Sequence, residues 1–498
     1  MRKDRSCGVL LHPTSLPGPG GIGTLGYNAR LFIDLLAGMG MSWWQVLPLN
    51  PAACGNSPYS AFSAFAGNPL LIDLETLVRE GDLSKQDCPP ADGAERVDFG
   101  ALLPARNEVF HKAAAAFFAS GRTARMENFW HFCDSTPWLH NYALFMALKQ
   151  RYKGKSWCHW PKSAALLDVE LFEKASLELG PEIGVQKYLQ WQFSRQWSHL
   201  RAYAAAQGVS LIGDIPIFVA YDSADVWANR DIFLLDDQGK PTVVAGVPPD
   251  YFSDTGQLWG NPLYDWDVLK ARGYDWWIER FRYLFTQFDC IRVDHFRGFE
   301  AAWHVPVGHK TAVKGTWTDG PGRQLFDALF SALGSLPIIA EDLGVITPAV
   351  EDLRDSCGFP GMKILQFAFG SGPANAYLPH NHIKRSVVYT GTHDNDTTAG
   401  WYAGLNEKER CEVRDYLGSS GEHPSEDLTQ VALMSVADTA IIPFQDMLGL
   451  PSAARMNIPG TADGNWDWRF SWDMVDKNLM ERFRRKLELF GRYRHQPV

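Results

Sequence analysis

The feature that most limits how this chain can fold is an alternation of short apolar runs with longer amphipathic segments. The apolar runs are rich in Val, Ile and Trp, and their length predicts buried parallel strands. They are SWWQVLPL (42–49), VSLIGDIPIFV (209–219), FDCIRVDH (288–295), PIIAEDLG (337–344), GMKILQFAF (361–369) and VVYTGTHD (387–394). Segments between them, such as 188–208, 326–337 and 349–358, have the pattern of helices. The alternation therefore predicts repeated β-α-β units.

Acidic residues decide between the two folds that such units can build, a doubly wound open sheet and a closed barrel. Asp214, Asp294, Glu341 and Asp394 lie at or near the C-terminal ends of four predicted strands. In a barrel these ends converge on one mouth, whereas an open sheet would spread them along an edge. We therefore predict an α/β protein with a (β/α)8 TIM barrel, in which all 498 residues form one elaborated catalytic unit.

Two segments interrupt the alternation. Residues 76–185 contain helical patterns such as ARNEVFHKAAAAFFASG, and they predict an inserted, largely helical subdomain. Residues 243–266 contain three prolines and three glycines without a regular period, and they predict a long loop. A long loop beside a barrel mouth usually serves as a lid or as a wall of the binding site.

Charge and composition exclude some classes of partner. The 57 acidic and 47 basic residues give a net charge of −10, and no Lys/Arg block is interleaved with aromatic residues. A nucleic acid or another polyanion is therefore not an expected partner. Among the 19 tryptophans, several lie in loop-like stretches beside Gly, Asn and Asp. Most large aromatic rings belong to a protein core, but rings in such positions also suit the flat faces of sugars.

The terminal and cysteine patterns are typical of a cytoplasmic protein. The N-terminus, MRKDRSCGVLLHPTSLPG, has only a four-residue apolar run and so lacks a secretory core segment. No stretch is apolar for long enough to predict a membrane span. The eight cysteines show neither CxxC pairs nor the spacing of a metal site, which favours reduced thiols.

The sequence predicts no organic cofactor and no metal. Gly18, Gly20 and Gly23 match G-x-G-x-x-G, but the preceding HPTSLPGP is not a strand, so a dinucleotide fingerprint is rejected. Carboxylates in THDND and DIPIF are explained more simply by hydrogen bonds to sugar hydroxyls than by a cation site.

A pair of carboxyl groups at neighbouring strand ends has the chemistry of a retaining glycosidic reaction. Such a reaction needs two carboxyl groups about 5 to 5.5 Å apart, one as nucleophile and one as acid/base. Asp294 and Glu341 meet that need if their strands are neighbours. Arg292 points the same way as Asp294 on a strand and would keep it ionised. Glu341 follows the apolar PIIA and precedes Asp342, a setting that favours its protonated form.

A third acid stands in the THDND segment. Asp394, together with His393, is placed to hydrogen-bond the hydroxyls of a distorted sugar ring. A single acid of this kind is more often an N-cap or a loop charge, but three acids at successive strand ends favour a catalytic site.

Several longer motifs resemble those of one enzyme family. They are LLHPTSLPGPGGIG, SPYSAFSAFAGNPLLIDL, GDIPIFVAYDSADVW, VAGVPPDYFSDTGQLWGNPLYDW, FDCIRVDHFRGF, IIAEDLG and TGTHDNDT. Together they resemble the amylomaltases, the 4-α-glucanotransferases of glycoside hydrolase family 77, from about residue 8 to past 460. The resemblance implies a (β/α)8 barrel with inserted subdomains and without a C-terminal β-domain. It also implies maltooligosaccharides and other α-1,4-glucans as substrates.

The resemblance further implies roles for individual residues. It makes Asp294 the nucleophile, Glu341 the acid/base and Asp394 the stabiliser of the transition state. The remaining matches imply sugar contacts, some at the cleavage subsite and some on the acceptor side: Ser57, Tyr59, Asp214, Asp250, Tyr251, Phe252, Gln257, Trp259, Arg292, His295, His393 and Asn465.

Two other functions stay open at the level of sequence. An α-amylase-type hydrolase would use the same acids, because hydrolysis and transfer share their first half-reaction. A non-catalytic glucan-binding protein on a barrel scaffold is the second alternative, which the intact set of Asp294, Glu341 and Asp394 disfavours.

Overall fold

A computed structural model describes residues 5–53, 55–89, 95–121, 123–249, 253–461 and 463–494, apart from the side chains of 169–171. The strands are β1 (Ser6–Leu10), β2 (Trp43–Gln45), β3 (Ser210–Pro216), β4 (Val243–Val247), β5 (Gln257–Pro262), β6 (Cys290–Asp294), β7 (Ala301–Pro306), β8 (Thr316–Asp319), β9 (Ile338–Ala340), β10 (Gly361–Ile364), β11 (Ser386–Tyr389) and β12 (Thr439–Pro443). The α-helices are α1 (Tyr27–Met39), α2 (Leu74–Glu80), α3 (Phe99–Ala119), α4 (Thr123–Asp134), α5 (Leu139–Arg151), α6 (Lys162–Ala165), α7 (Val169–Glu178), α8 (Gly180–Ala206), α9 (Ala224–Ala228), α10 (Trp266–Ala271), α11 (Asp275–Gln287), α12 (Gly322–Leu333), α13 (Pro348–Ser356), α14 (Thr398–Gly404), α15 (Glu407–Leu417), α16 (Pro424–Met434), α17 (Phe444–Met447) and α18 (Leu479–Leu489).

Eight of the strands form one parallel sheet that curves into a barrel. Their order is β10-β11-β12-β1-β2-β3-β6-β9. The two ends of this order meet where the backbone N–H of Ala340, at the end of β9, donates to the carbonyl of Pro360, just before β10, at 2.9 Å. The predicted (β/α)8 barrel is therefore confirmed, and each of the six predicted strand segments overlaps one of its strands.

The interior of the barrel is a packed core that includes a few paired polar side chains. The hydroxyl of Tyr389, on β11, donates to the side chain of Gln45, on β2, at 2.9 Å. Asp214 on β3 stands in register with Arg292 on β6. Because buried polar groups need partners, these pairs restrict the strand registers that the core can accept.

Two predictions of local structure need correction or extension. Residues 243–266, predicted as a loop, contain β4 and β5, which pair with each other in antiparallel fashion. These strands form because β4 also pairs with β7, more than 50 residues later, a partner that no local pattern reveals. Strands β1 and β12 complete the barrel, but they lie outside the six apolar runs from which strands were predicted.

Insertions after barrel strands build the surroundings of the mouth. The strands β4 and β5 follow β3, while β7 and β8 follow β6, and together they form a four-stranded sheet of order β5-β4-β7-β8. This sheet therefore grows from the C-terminal ends of two neighbouring barrel strands. Its edge strand β8 is exposed along its whole length.

The chain between β2 and β3 is helical, as predicted for residues 76–185. Helices α2 to α8 occupy it, and α8 extends over 27 residues back to the barrel. Arg125 bonds both carboxylate oxygens of Asp82 at 2.7 and 2.6 Å, and Arg195 bonds Glu80 at 2.8 Å. Ion pairs thus join α4 and α8 to the end of α2. The assignment of 76–185 as a separate subdomain stays a prediction.

Other predictions concern membranes, thiols and the C-terminal part. Among the described residues, every helix is too short or too polar to cross a lipid bilayer. The seven cysteines within the described part form no disulfide. After Pro443, the described residues form α17, α18, short helical turns and irregular segments, without a further strand longer than a single bridge.

Arg492 joins the C-terminal segment to the face of the barrel opposite the mouth. Its guanidinium is fully buried and donates to the carbonyls of Ser6, Leu433, Ser435 and Ala437 at 2.8 to 2.9 Å. Ser6 begins β1, so these bonds lie at the N-terminal ends of the strands. In barrels of this class that face contributes to stability, and chemistry takes place at the other face.

We expect the substitution Arg492→Met to destabilise the protein without changing its chemistry. It removes several charge-assisted hydrogen bonds, which contribute about 1.5 to 3 kcal/mol each, so the free energy of unfolding should fall by about 3 kcal/mol or more. Thermal unfolding and specific activity well below the melting temperature measure the two effects. Arg484→Met is the control, because Arg484 is half exposed, and its ion pair with Glu488 and its contact with the ring of Tyr493 lie near the surface. Equal melting temperatures for both variants would contradict the assignment.

Candidate active site

The predicted catalytic acids come together because their strands are neighbours in the barrel. Asp294 is the last residue of β6, and Glu341 follows directly on β9. Val293 and Ala340, the residues before them, face each other in register. The backbone N–H of Glu341 donates to the carbonyl of Val293 at 3.0 Å, which extends the pairing to the acid itself. The two carboxyl groups therefore start from adjacent positions at the barrel mouth.

Arg292 lies between two of the acids. One of its terminal nitrogens bonds both carboxylate oxygens of Asp214 at 2.8 Å and one oxygen of Asp294 at 3.0 Å. The side chains of Arg292 and Asp214 are almost completely buried, whereas that of Asp294 is 31% exposed. Burial opposes the charge on Arg292, but Asp214 and Asp294 outweigh it and raise the pKa of the guanidinium. The cation is therefore permanent, and Asp294 faces the cleft.

Glu341 is held in place by backbone groups and is poised to carry a proton. Its oxygens accept hydrogen bonds from the N–H groups of His295, at 2.6 Å, and Leu343, at 2.9 Å. Removal from water, and then the negative charge of Asp294, raise the pKa of Glu341 to about 8, against the opposing effect of Arg292. Glu341 is thus mostly protonated at neutral pH, while its orientation is fixed by the chain on both sides.

His295 connects the end of β6 to the antiparallel sheet. Its backbone is left-handed, with φ of 52°, a conformation that costs energy for a residue with a side chain. The ring meets that of Trp259 edge to face at 4.8 Å between centroids, and Trp259 donates to the side chain of Gln257 at 3.1 Å. Desolvation lowers the pKa of His295 to about 4, so the ring is neutral at working pH. Gln257 and Trp259 are exposed beside His295, and their predicted contact with the acceptor stays a prediction.

Tyr59 and His393 form a stacked pair beside Asp214. The hydroxyl of Tyr59 donates to Asp214 at 2.8 Å, and its ring lies 5.0 Å from that of His393 with an angle of 17° between the planes. Burial, with Asp214 nearby, raises the pKa of Tyr59 well above its usual value, so it stays a donor. Ser57 accepts from the backbone N–H of Tyr59 at 3.3 Å and so shapes the turn that presents this ring.

Asp394 lies five residues beyond β11, in the loop that also carries His393. One of its carboxylate oxygens is 3.4 Å from the ring of His393, and about half of its side chain is exposed. The other oxygen accepts from the side-chain amide of Asn457 at 2.6 Å. Arg455 donates to the backbone carbonyls of Asp394, at 2.6 Å, and Asn457, at 2.7 Å. Sequence analysis missed Asn457 and Arg455, because they lie in an irregular segment without a period.

That segment, residues 455–461 and 463–466, is called the strap below. Asn465 is 5% exposed, and its amide group bonds the backbone of Ile458 and both oxygens of Thr461. Trp466 has a left-handed backbone with φ of 66°, and its ring lies 5.8 to 5.9 Å from those of His393 and Tyr59. The described contacts thus assign Asn465 to the shape of the strap, and its predicted sugar contact stays a prediction.

Some predicted residues fall outside this description. Asp250, Tyr251 and Phe252, predicted to close over the acceptor, lie outside the described residues. Within the described part of the chain, no three His, Cys, Asp or Glu side chains are arranged to hold a metal ion. The described part of the site combines four acids, Asp214, Asp294, Glu341 and Asp394, with the buried Arg292 and with aromatic rings as walls.

Fold and site together define a carbohydrate-active (β/α)8-barrel enzyme. The model of glycoside hydrolase family 77, described as 4-alpha-glucanotransferase, matches residues 11–475. The 4-alpha-glucanotransferases of Synechocystis sp. and Thermus thermophilus are 49% and 48% identical to the chain; the matches cover 99% and 94% of this chain and 99% and 95% of theirs. An amylomaltase from Streptococcus agalactiae, solved in complex with acarbose, superposes with a TM-score of 0.95 at 38% identity, covering 98% of this chain and all of that one. The chain belongs to glycoside hydrolase family 77, the 4-alpha-glucanotransferases.

The raised pKa of Glu341 predicts a pH-dependent effect on stability. In an unfolded chain a glutamate titrates near about 4.3. Its contribution to stability is therefore complete below that pH and is lost as the pH rises to about 8, where the folded form titrates. Glu341→Gln does not titrate, so the melting temperature of this variant minus that of the parent should increase between about pH 5 and about pH 8.5. A difference that does not change with pH would show that Glu341 titrates normally.

Proposed function

We propose that the protein transfers segments of α-1,4-glucans to the 4-hydroxyl of acceptor glucans with retention of configuration, through a covalent intermediate on Asp294. The observation that carries the proposal is the adjacency of Asp294 and Glu341 on β6 and β9. Neighbouring strands lie about 4.8 Å apart. That spacing fits the separation of about 5 to 5.5 Å in retaining enzymes better than the 6.5 to 9.5 Å of inverting ones. The likeness to an amylomaltase solved with acarbose supports a glucan as substrate.

In the first step Glu341 acts as the acid and Asp294 as the nucleophile. Glu341 gives its proton to the glycosidic oxygen, while a carboxylate oxygen of Asp294 bonds to the anomeric carbon. The bond between that carbon and the glycosidic oxygen breaks, and the shortened glucan leaves with the proton. Arg292 donates a hydrogen bond to Asp294 at 3.0 Å and so holds the carboxylate that makes the attack.

In the second step Glu341 changes from acid to base. Once Asp294 is an ester, its negative charge no longer raises the pKa of Glu341, and Arg292 still lowers it. Glu341 is then a base that takes the proton of the acceptor's 4-hydroxyl. The acceptor oxygen bonds to the anomeric carbon, and Asp294 leaves as a carboxylate. Two inversions give overall retention.

The remaining residues hold the sugar at the point of cleavage. Asp394 and His393, 3.4 Å apart, are proposed to hydrogen-bond the hydroxyls of the distorted ring, and these bonds strengthen as positive charge develops on the ring. Tyr59 offers its ring as a wall, with its hydroxyl engaged by Asp214. These contacts act most strongly in the transition state, so they affect turnover more than binding.

Transfer in preference to hydrolysis requires that an acceptor sugar reach the intermediate before water does. Trp259 and Gln257 lie on the antiparallel sheet beside His295 and supply an aromatic and polar surface for the acceptor. The segment 243–266, with Asp250, Tyr251 and Phe252, is proposed as the wall that excludes water from this side.

With maltotriose as the only substrate, we expect the purified protein to release glucose and to form maltooligosaccharides longer than three units. Asp294→Asn should lower this activity at least about 1000-fold, because no covalent intermediate can form. Chromatography of the products over time measures both. Asp289→Asn is the matched control: it stands just before β6 at the opposite face, where its carboxylate bonds Leu211 and Arg201, and activity should persist.

The alternative functions predict different products. Glucose and maltose without longer chains would identify a hydrolase, and an unchanged substrate would favour a glucan-binding protein. An Asp294→Asn variant as active as the parent would exclude Asp294 as the nucleophile.

The acid role of Glu341 predicts the alkaline limb of the pH profile. Since its pKa is about 8, kcat/KM for the donor should fall about tenfold per pH unit above that value as the acid loses its proton. Initial rates between about pH 6 and 9.5 test this, with recovery of activity at pH 7 as the control for unfolding. A rate that stays constant to about pH 9.5 would contradict the assignment.

A further inference from the structure

We infer that Asn457 is a positioning residue for the reaction, acting through Asp394. This inference rests on the proposed function, in which Asp394 stabilises the transition state. The side-chain amide of Asn457 donates to one carboxylate oxygen of Asp394 at 2.6 Å, a short hydrogen bond of the charge-assisted kind. The bond leaves the other oxygen, 3.4 Å from His393, as the one directed along the stacked wall of the site.

Asp394 needs such support because its own loop holds it weakly. It lies five residues past the end of β11, and about half of its side chain is exposed. Within the loop its contacts are long: its backbone N–H donates to the hydroxyl of Thr392 at 3.3 Å, and its carboxylate lies 3.4 Å from the ring of His393. An exposed carboxylate on a loop samples several rotamers, and each misdirected one loses the interaction that the transition state needs.

The strap supplies the missing rigidity from the other side. Arg455 bonds the backbone carbonyl of Asp394 at 2.6 Å and that of Asn457 at 2.7 Å, so one guanidinium fixes donor and acceptor relative to each other. Just before the strap, Ser452 donates to Asp396 at 2.6 Å. The loop that carries Asp394 is therefore joined to the chain after α17 at three successive points.

The C-terminal end of the strap is bonded back to its N-terminal end. The backbone N–H of Trp466 donates to the carbonyl of Met456 at 2.8 Å, and Asn465 bonds Ile458 at 2.8 Å. These bonds fold the strap back on itself, and Trp466 then packs on the rings of Tyr59 and His393. Asn457 is thus held at the base of a closed turn and has little freedom to leave Asp394.

Two substitutions at position 457 separate positioning from a general structural role. Asn457→Ala removes the donor, and kcat with maltotriose should fall about 100-fold, the order expected for a catalytic group displaced by about 1 Å. KM should change by less than about threefold, because Asp394 acts mainly in the transition state. The melting temperature should change little, since the bond is exposed to solvent.

Asn457→Asp keeps the shape but puts a second carboxylate against Asp394. Two like charges at this distance favour the sharing of one proton, so the hydrogen bond should re-form in acid. The activity of this variant relative to the parent should therefore rise at least about tenfold between about pH 8 and about pH 5. Asn457→Ala should show no such recovery. The charged and titratable groups that face Asp394, namely His393, Arg455 and Tyr59, are the same in all three proteins.

A matched pair of controls uses Asn381, which donates to the carbonyls of Pro373 and Asn375 in another loop. Asn381→Ala and Asn381→Asp should both retain the activity and pH profile of the parent. The inference is overturned if Asn457→Ala keeps kcat within about twofold of the parent, or if Asn457→Asp and Asn457→Ala lose activity equally at every pH. If the parent forms no oligosaccharide longer than maltotriose, the proposed function is overturned as well. Failure of the inference about Asn457 is therefore distinguishable from failure of the proposed function.

Discussion

The structure of the site depends on one buried cation serving two carboxylates. Arg292 bonds Asp214 through two contacts of 2.8 Å and Asp294 through one of 3.0 Å. Removing one partner of a buried ion pair costs about 3 to 5 kcal/mol, because the other partner is left as an unpaired charge. Buried Asp214 would be left in this state without Arg292. The pairing therefore helps to fix the register of β3 against β6. Beside this pair, removal from water and then the negative charge of Asp294 raise the pKa of Glu341 to about 8, although Arg292 opposes the rise.

A feature of the fold or of the site was predictable from the sequence where neighbouring residues along the chain determine it. Arg292 and Asp294 share one side of β6 because side chains alternate along a strand, and the sequence alone predicts that pairing. The buried strands were predictable from apolar runs. β4 and β5 were not, since Gly and Pro interrupt their pattern and only pairing with β7 makes them strands. The short β1 was likewise decided by its neighbours β2 and β12.

In irregular segments the contacts of single side chains are also hard to predict from the sequence. The resemblance to the family marks Asn465 as part of the site, but it does not tell which atoms its amide meets. In the structure that amide is used within the strap, while Asn457, eight residues earlier, reaches Asp394. No period relates these positions, because the direction of a side chain in a closed turn depends on contacts with distant residues such as Arg455 and Asp394.

The walls of the cleft also explain how the surroundings of the site can change in sequence while the barrel keeps its fold. Asp294 ends β6 and Glu341 follows directly on β9, and the whole parallel sheet determines the positions of these two strands. Asp394, the strap and the antiparallel sheet belong instead to connections beyond the strand ends, where changes leave the core intact. Arg492 lies at the opposite face and bonds the backbone carbonyl of Ser6, at the N-terminal end of β1. Asp294 and Glu341 are therefore positioned by the barrel itself, whereas the other walls of the cleft are positioned by connections whose sequence can vary without loss of the fold.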